Sequence, residues 1–214
     1  MRLDRKKGKT IAGIAGIAAA AALAVVLILA TVGAPGPDVV ASVNGEKIMA
    51  EDVAAVQARY LQYGMNLTPV QALEELIIEE LVYQEAKHEG HLLAMEEAGQ
   101  ELRAQLGAAN LTLEDLQVQL DSYEISYEEY LEDFRRQLAI DDYMAAEVPV
   151  PEVTDEEARE YYEDYEQQFP NDELPPFEEV KSEIIAHLEQ EMQQEAVLLL
   201  IEDLKGKADI QIYL

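Results

Sequence analysis

The sequence predicts a mainly α-helical domain with one small β-sheet, preceded by a single transmembrane helix. Three observations support this fold class. Residues 11–32 form an uncharged run that is long enough to cross a bilayer, which takes about 20 residues. Helix-start signals then recur through most of the chain. Finally, an Asn-Gly turn early in the domain and an alternating segment at its end supply the strand material.

The charge distribution sets the orientation that we expect for residues 10–33, the predicted transmembrane signal anchor. Residues 1–9 carry five cations and one anion, whereas the rest of the chain carries 10 cations and 43 anions. Because positive flanks stay in the cytoplasm, the tail is expected there and residues 34–214 outside it, in a single-pass cell-membrane protein. The apolar run exceeds the roughly 7–15 residues of a signal-peptide core, and Pro35 follows the small-residue site at its end. We therefore favour an uncleaved anchor over a removed signal peptide.

A short linker, residues 34–38, leads into a predicted β-hairpin over residues 39–48. Apolar segments flank Asn44-Gly45 in the middle of this stretch. Both central residues of a type I′ turn need positive φ, which Asn and Gly adopt most readily, so the dipeptide predicts the turn.

Seven helices are predicted after the hairpin, because each has recognisable start and stop signals. Ser or Thr followed three residues later by Glu or Gln forms a capping box, as at Thr68, Ser126 and Thr154, and Thr112 begins a weaker version. Glycine or proline ends several of the apolar-periodic segments. The predicted helices span 51–63, 69–88, 92–106, 113–121, 127–146, 155–168 and 177–204.

Apolar residues recur at helical spacing within these segments, which predicts one buried face on each helix. The second helix has one acidic exception in this stripe, which consists of Leu73, Leu76, Ile77, Glu80 and Leu81.

The last residues, from Ala208 to Leu214, alternate apolar and polar side chains and predict a strand. A terminal strand needs a partner for its backbone N–H and C=O groups. The hairpin at residues 39–48 is the available partner, so we expect both ends of the domain to meet in one sheet. Residues 39–214 are therefore predicted to form one domain.

Composition excludes several classes of function. With 44 acidic residues, 15 basic residues and a net charge of -29, the chain lacks the basic surface that nucleic acids require. It has no cysteine, which removes thiol catalysis, disulfides and thiolate metal sites. It also has no phosphate-binding loop, zinc-protease motif or nucleophile elbow. We expect no catalytic residue and no cofactor.

The histidines offer one candidate metal site. His88 and His91 lie at a predicted helix end beside Glu85 and Glu89. A polar helix terminus, where His also suits the helix dipole, explains these residues without a metal. We therefore expect no metal ion.

Two N-x-Thr sequons make Asn66 and Asn110 candidate glycosylation sites in a domain outside the cytoplasm. The competing explanation is that Asn and Thr are ordinary residues before a helix.

Five segments of the chain, in their order, resemble those of a known family. They span residues 39–82, 111–138, 153–162, 177–181 and 205–210. This order resembles the chaperone part of SurA-type periplasmic chaperones and their PrsA-like foldase relatives, over about residues 39–214. The resemblance implies a SurA-like helical chaperone domain that binds polypeptides without ATP.

The chain departs from the family pattern between Glu166 and Pro176. In two-function members, a parvulin-type prolyl isomerase of roughly 90–100 residues lies there, and the eleven residues present cannot hold it. The sequence also lacks the pair of His near a Cys or Asp that this active site needs. The resemblance therefore implies the chaperone part alone, and we expect no enzyme activity.

We interpret the chain as a membrane-anchored, extracytoplasmic holdase-type chaperone whose partners are unfolded or exported polypeptides. The alternative is a structural adaptor that uses the same scaffold to bind one dedicated partner in a membrane complex. Met and Tyr side chains adapt to varied sequences, although core packing is the competing explanation for each of them. The candidate client-binding residues are Met49, Tyr60, Tyr63, Met65, Tyr123, Tyr127 and Tyr130.

The acidic excess has two explanations. It either serves client handling, by keeping the complexes in solution, or reflects adaptation to a salty habitat, and we favour the second.

Overall fold

The computed structural model describes residues 38–169 and 174–213. Within them it contains three strands and seven helices, which confirms the mainly helical class with a small sheet. The predicted helices are all present. In chain order, the elements are β1 (Val39–Val43), β2 (Glu46–Met49), α1 (Ala50–Gln62), α2 (Pro69–His88), α3 (Met95–Ala108), α4 (Leu113–Ser122), α5 (Tyr127–Glu147), α6 (Asp155–Gln168), α7 (Phe177–Lys207) and β3 (Ile210–Ile212).

The predicted membrane segment, residues 11–32, lies outside the described residues, as do the basic tail and most of the linker. Among the helices that the structure describes, none combines the length and the apolar character needed to cross a bilayer.

The sheet joins the two ends of the domain, as the sequence predicted. β1 lies in the centre and pairs antiparallel with β2 on one side and β3 on the other. The turn between β1 and β2 has φ values of 51° at Asn44 and 90° at Gly45, which confirms the predicted hairpin. Asn44 also holds the link between α7 and β3 against the turn, because its N–H donates to Asp209 O and its Oδ1 accepts from Asp209 N, both at 2.8 Å.

Four predicted helix starts have the expected side-chain caps. The hydroxyls of Thr68, Thr112, Ser126 and Thr154 each accept a hydrogen bond from the backbone N–H three residues later. Each cap satisfies a donor that the first helical turn leaves free.

Two helix ends differ from the prediction by three residues. Helix α3 begins at Met95 rather than residue 92, because the Glu97 carboxylate accepts from the N–H of Ala94 and fixes the start there. Helix α7 continues through Gly206 to Lys207, since one glycine costs a helix only about 1 kcal/mol and the Lys207 ammonium pairs with Asp203 one turn earlier.

The larger core lies between the sheet and helices α1, α2, α5 and α7. Helix α2 is central to it and contacts α1, α5, α7 and β1. Ile140 of α5 and Val43 of β1 are the largest fully enclosed side chains among the described residues. The buried faces of α1 and α2 follow the helical spacing seen in the sequence.

A second, smaller core joins α3, α4 and the first half of α5. Leu102, Leu116, Leu120 and Leu131 pack together in it. Since the second half of α5 belongs to the larger core, this helix connects the two.

Helices α6 and α7 form a hairpin in which α6 packs on the first part of α7. Ala158 is the buried residue of α6, and Phe177 is buried at the start of α7. The last part of α7, around Val197 and Ile201, packs against Val148 and the main body. One 31-residue helix therefore links the hairpin to the core.

Candidate functional site

The turn between α1 and α2 exposes a set of apolar side chains. The buried face of α1 ends at Tyr60, and the chain then turns through Gly64, which has a φ of 78°. Folding leaves the neighbouring apolar side chains in solvent, where they remain available for contact with another molecule. This set, the α1–α2 loop group, consists of Leu61, Tyr63, Met65 and Val70.

Three predicted client-binding residues, Tyr60, Tyr63 and Met65, lie in or near this turn, and Met49 lies at the other end of α1. Tyr63 is 76% exposed and Met65 is also exposed. Met49 is half-buried where β2 meets α1. Tyr60 packs in the core, and its hydroxyl donates to Glu75 Oε1 at 2.7 Å.

The hydroxyl of Tyr60 is held in its neutral form. Burial, aided by the hydrogen bond to the Glu75 carboxylate, raises the pKa of Tyr60 to about 12. Tyr60 is therefore part of the larger core and lies outside the exposed group.

A second exposed set lies around the turn between α4 and α5. Glu124 in this turn has a φ of 58°. We call the set the α4–α5 loop group, and it consists of Val118, Tyr123 and Ile125.

The other two predicted tyrosines lie deeper. Tyr127 and Tyr130 are half-buried and pack against the smaller core beside Leu131. The Tyr127 hydroxyl is buried without a hydrogen-bond partner among the described residues. The structure therefore leaves Tyr63, Met65 and Tyr123 as the exposed members of the predicted set.

A pocket between α6 and α7 was missed in the sequence. Its volume is about 190 Å³, and its lining is aromatic and aliphatic. The sequence carried a signal for it, because each of the two helices has a pair of lining residues spaced four apart and thus on one face. The pair on α6 is two tyrosines, and the pair on α7 is two aliphatic residues. The lining residues are Tyr161, Tyr162, Tyr165, Leu174, Pro175, Val180 and Ile184.

Contacts within the hairpin fix two of these tyrosines. The Tyr162 hydroxyl donates to the carbonyl oxygen of Pro175 at 2.7 Å, and its ring meets the ring of Phe177 edge to face, with centroids 5.6 Å apart. Tyr161 meets His187 in the same way at 5.8 Å.

The third tyrosine is more open. Tyr165 is 40% exposed, and its ring contacts the ring of Phe169 at a tilt of 37°, with a centroid distance of 4.7 Å. Among the tyrosines that line the pocket, Tyr165 is therefore the one that an incoming group reaches most readily.

The helix that supplies the tyrosines of this pocket is strongly acidic. Helix α6 carries seven carboxylates and a single cation, Arg159. That guanidinium lies 4.3 Å from the ring centroid of Phe177 and 3.4 Å from a carboxylate oxygen of Glu178. Lys181 of α7 pairs with Asp155. Both nearby cations are thus engaged, and the carboxylates remain in excess.

The histidines at the end of α2 take separate roles. The ligand atoms of Glu85, His88 and Glu89 lie within 4.8 Å of one another, so these three could reach one cation. His88 is largely exposed, whereas His91 instead contacts Asp142 on α5 at 2.7 Å. Glu85 is half-buried, and His88 and Glu89 are exposed, as is usual at a solvated helix terminus.

Both candidate glycosylation asparagines are exposed. Asn66 precedes α2 and Asn110 precedes α4, the latter with a φ of 58°. The threonine of each sequon, Thr68 or Thr112, caps the helix that follows. Both asparagines stay candidate sites.

Comparisons with known proteins concern the fold. No protein-family profile and no curated protein matches the sequence. A solved chain is similar in structure, with a TM-score of 0.57 and 14% sequence identity over 82% of this chain and 99% of that chain. It comes from work on the virulence factor PEB4 and the periplasmic protein Cj1289 of Campylobacter jejuni, described there as two structurally related SurA-like chaperones. The chain therefore has a SurA-like fold.

Proposed function

We propose that this protein is a holdase-type chaperone that binds unfolded or exported polypeptides outside the cytoplasm. The observation that carries the proposal is a SurA-like fold that leaves two loop groups of apolar side chains in solvent. In a folded protein, apolar side chains grouped in this way indicate an interaction surface.

Binding at these groups is weak and adaptable. Fully burying one large apolar side chain stabilises a complex by about 1.5–3 kcal/mol, whereas association costs about 4 kcal/mol or more. A client must therefore contact several side chains at once, and it leaves again readily. Flexible Met65 and the rings of Tyr63 and Tyr123 can adjust to different sequences.

The proposed activity needs neither nucleotide nor isomerase. Helix α6 ends at Gln168 and α7 begins at Phe177, so the connection is far shorter than a folded domain of about 50 residues or more. This supports a protein that acts by binding alone.

The proposed membrane anchor, residues 10–33, gives the domain its location. A tethered domain meets polypeptides emerging at the membrane at a high effective concentration. Residues 34–214 would act on the outer face of the cell membrane, while the basic tail holds the orientation.

Light scattering tests the proposal. The full chain, reconstituted in nanodiscs of zwitterionic lipid, is added to two unrelated unfolding proteins, with empty nanodiscs as the control. A holdase suppresses the scattering of both proteins at near-equimolar ratio. Suppression of neither, together with one stoichiometric partner in a pull-down, would contradict the holdase and assign the scaffold to a dedicated adaptor.

A further inference from the structure

We propose that the pocket between α6 and α7 binds an apolar or aromatic side chain from a polypeptide segment that also carries Lys or Arg. This inference rests on the proposed function and names the kind of segment that the chaperone prefers. It adds a site that lies apart from the two loop groups in sequence and uses none of the residues expected from the sequence to bind clients.

The pocket has the size and chemistry for one ring. Its volume is about 190 Å³, and a dry apolar cavity of about 150 Å³ is known to bind benzene. Tyrosine rings and aliphatic side chains line it, which suits stacking and dispersion contacts with an aromatic guest.

The pocket is formed before a guest arrives. The hydrogen bond from Tyr162 to Pro175 and the ring contact with Phe177 hold one wall. The contact between Tyr161 and His187 holds another part of the lining. Because these side chains are already ordered, a guest loses less of its binding free energy to ordering the site.

The charge around the pocket selects the rest of the segment. Seven carboxylates on α6 outnumber its single cation, and Arg159 is already engaged with Glu178 and Phe177. Lys or Arg beside the guest ring therefore gains attraction from the carboxylates, and the faces of the tyrosine rings also attract cations.

The same charge disfavours other occupants. A second copy of this chain would bring a net charge of -29 to an acidic surface, and anionic lipid would be repelled as well. A basic, apolar polypeptide segment is the occupant whose charge complements the site.

The absence of tryptophan from this chain gives a selective probe. A short peptide of Gly and Ser with one Trp between two Lys is titrated with the full chain in vesicles of zwitterionic lipid, which contain no tryptophan, and binding is followed by Trp emission. A second peptide has Glu in place of both Lys. The variants are Tyr165→Ala, the conservative Tyr165→Phe, and Leu199→Ala as the control, an exposed apolar side chain of α7 that lies outside the pocket and outside both loop groups.

We expect Tyr165→Ala to weaken binding of the Lys peptide about tenfold, because it removes one wall of the pocket. Tyr165→Phe and Leu199→Ala should bind like the wild type. The Glu peptide should bind the wild type at least about tenfold more weakly, and added salt should reduce the difference between the peptides.

A filling variant covers the case in which Tyr165→Ala unfolds the hairpin, which circular dichroism would report. Val180→Phe adds apolar volume to the opposite wall and should also lower the affinity. Equal affinity in wild type and Val180→Phe, equal binding of both peptides, or no binding of either peptide would overturn the inference. So would a dimer in sedimentation that Tyr165→Ala abolishes, since the pocket would then belong to a second copy.

The experiments distinguish failure of the pocket inference from failure of the proposed function. If the wild type suppresses aggregation while the pocket variants leave peptide affinity unchanged, the pocket inference fails and the holdase stands. If aggregation is unaffected by the wild type, the holdase fails whatever the peptides do.

Discussion

Glu80 lies at a buried position on the apolar face of α2, and Arg136 of α5 makes that position tolerable. Arg136 Nη2 donates to Glu80 Oε2 at 2.7 Å, and its Nε donates to Glu79 Oε1 at 3.3 Å. Its guanidinium also lies 4.0 Å from the ring centroid of Tyr83. Gln84 Nε2 completes the cluster by donating to the other Glu80 oxygen. These contacts satisfy the buried carboxylate and bind α5 to α2.

The guanidinium stays charged in this position. Burial acts to lower the pKa of Arg136, but the hydrogen bond and the charge of Glu80, together with Glu79, outweigh it and raise the pKa above its ordinary value. The ion pair is therefore present over the whole range in which the carboxylates are ionised.

Replacing Arg136 with Met should destabilise the fold by about 2 kcal/mol. A buried pair costs about 3–5 kcal/mol to break, and we discount this figure because the Arg136 side chain is 27% exposed. Urea unfolding followed by circular dichroism measures the loss. The double variant Arg136→Met with Glu80→Gln should recover part of it, because the uncompensated charge is gone. A single variant as stable as the wild type would contradict this role.

The sequence showed half of this arrangement. Glu80 was visible as an acidic exception in the stripe of α2. Its partner Arg136 lies 56 residues away, and no local pattern pairs the two. Helical spacing placed Tyr60 on the buried face of α1, but it does not show that the hydroxyl finds a partner in Glu75.

Three carboxylates at helix starts make the stability of the fold depend on pH. Asp115, Glu129 and Glu157 each accept hydrogen bonds from the capping residue three positions earlier. These bonds lower the pKa of each carboxyl, and the bond from the capping side chain has a larger effect than the bond from the backbone N–H. A lowered pKa in the folded state means that the ionised form stabilises the fold. That contribution is present above the ordinary pKa and is lost as the pH falls through the lowered one.

The triple variant Asp115→Asn, Glu129→Gln and Glu157→Gln should therefore respond less to acid. Its melting temperature should lie below that of the wild type near pH 7, and the difference should shrink below about pH 4. Protonation of the many other carboxylates affects both proteins alike, so the comparison isolates the caps. A difference that is constant from neutral to acid pH would contradict the assignment.

At the scale of elements, the α6–α7 hairpin differs from the rest of the domain. Helix α6 has one buried residue, Ala158, whereas α2 has seven. Its seven carboxylates also repel one another along one short helix. Few buried contacts and like-charge repulsion together place α6 among the segments that open with a low free energy.

Amide protons of α6 should therefore exchange with solvent faster than those of α2 in the native protein. Hydrogen exchange read by mass spectrometry makes the comparison on the full chain. Added salt should slow exchange in α6 more than in α2, because it screens the repulsion. Equal protection of the two helices, or no response of α6 to salt, would contradict this account of the hairpin.

Elements were the most predictable level of this protein. Helix starts at Thr68, Ser126 and Thr154 came from capping residues, and the hairpin came from Asn44-Gly45, because these signals are local. Even the pairing of the last strand with the first followed from the need to satisfy backbone groups. The pocket between α6 and α7 was missed because it depends on how two faces meet around Tyr165, which periodicity alone does not set.

At the scale of the whole molecule, most of the buried contacts among the described residues lie in two cores. Many of the apolar side chains left in solvent lie at turns between helices. Ile140 belongs to the larger core and Leu131 to the smaller one, and α5 carries both residues. A net charge of -29 keeps such a surface in solution, since copies of the chain repel one another. Exposed apolar groups on a strongly acidic body suit the reversible capture of other polypeptides.

The most direct test of the proposed function compares two variants in the light-scattering assay. One carries Leu61→Ser, Tyr63→Ser and Met65→Ser in the α1–α2 loop group. The matched control carries Val150→Ser, Met192→Ser and Leu199→Ser, which are exposed apolar residues outside both loop groups. We predict that the loop variant loses most of the suppression for two unrelated clients while the control keeps it. Suppression by the loop variant equal to that of the wild type would contradict the account.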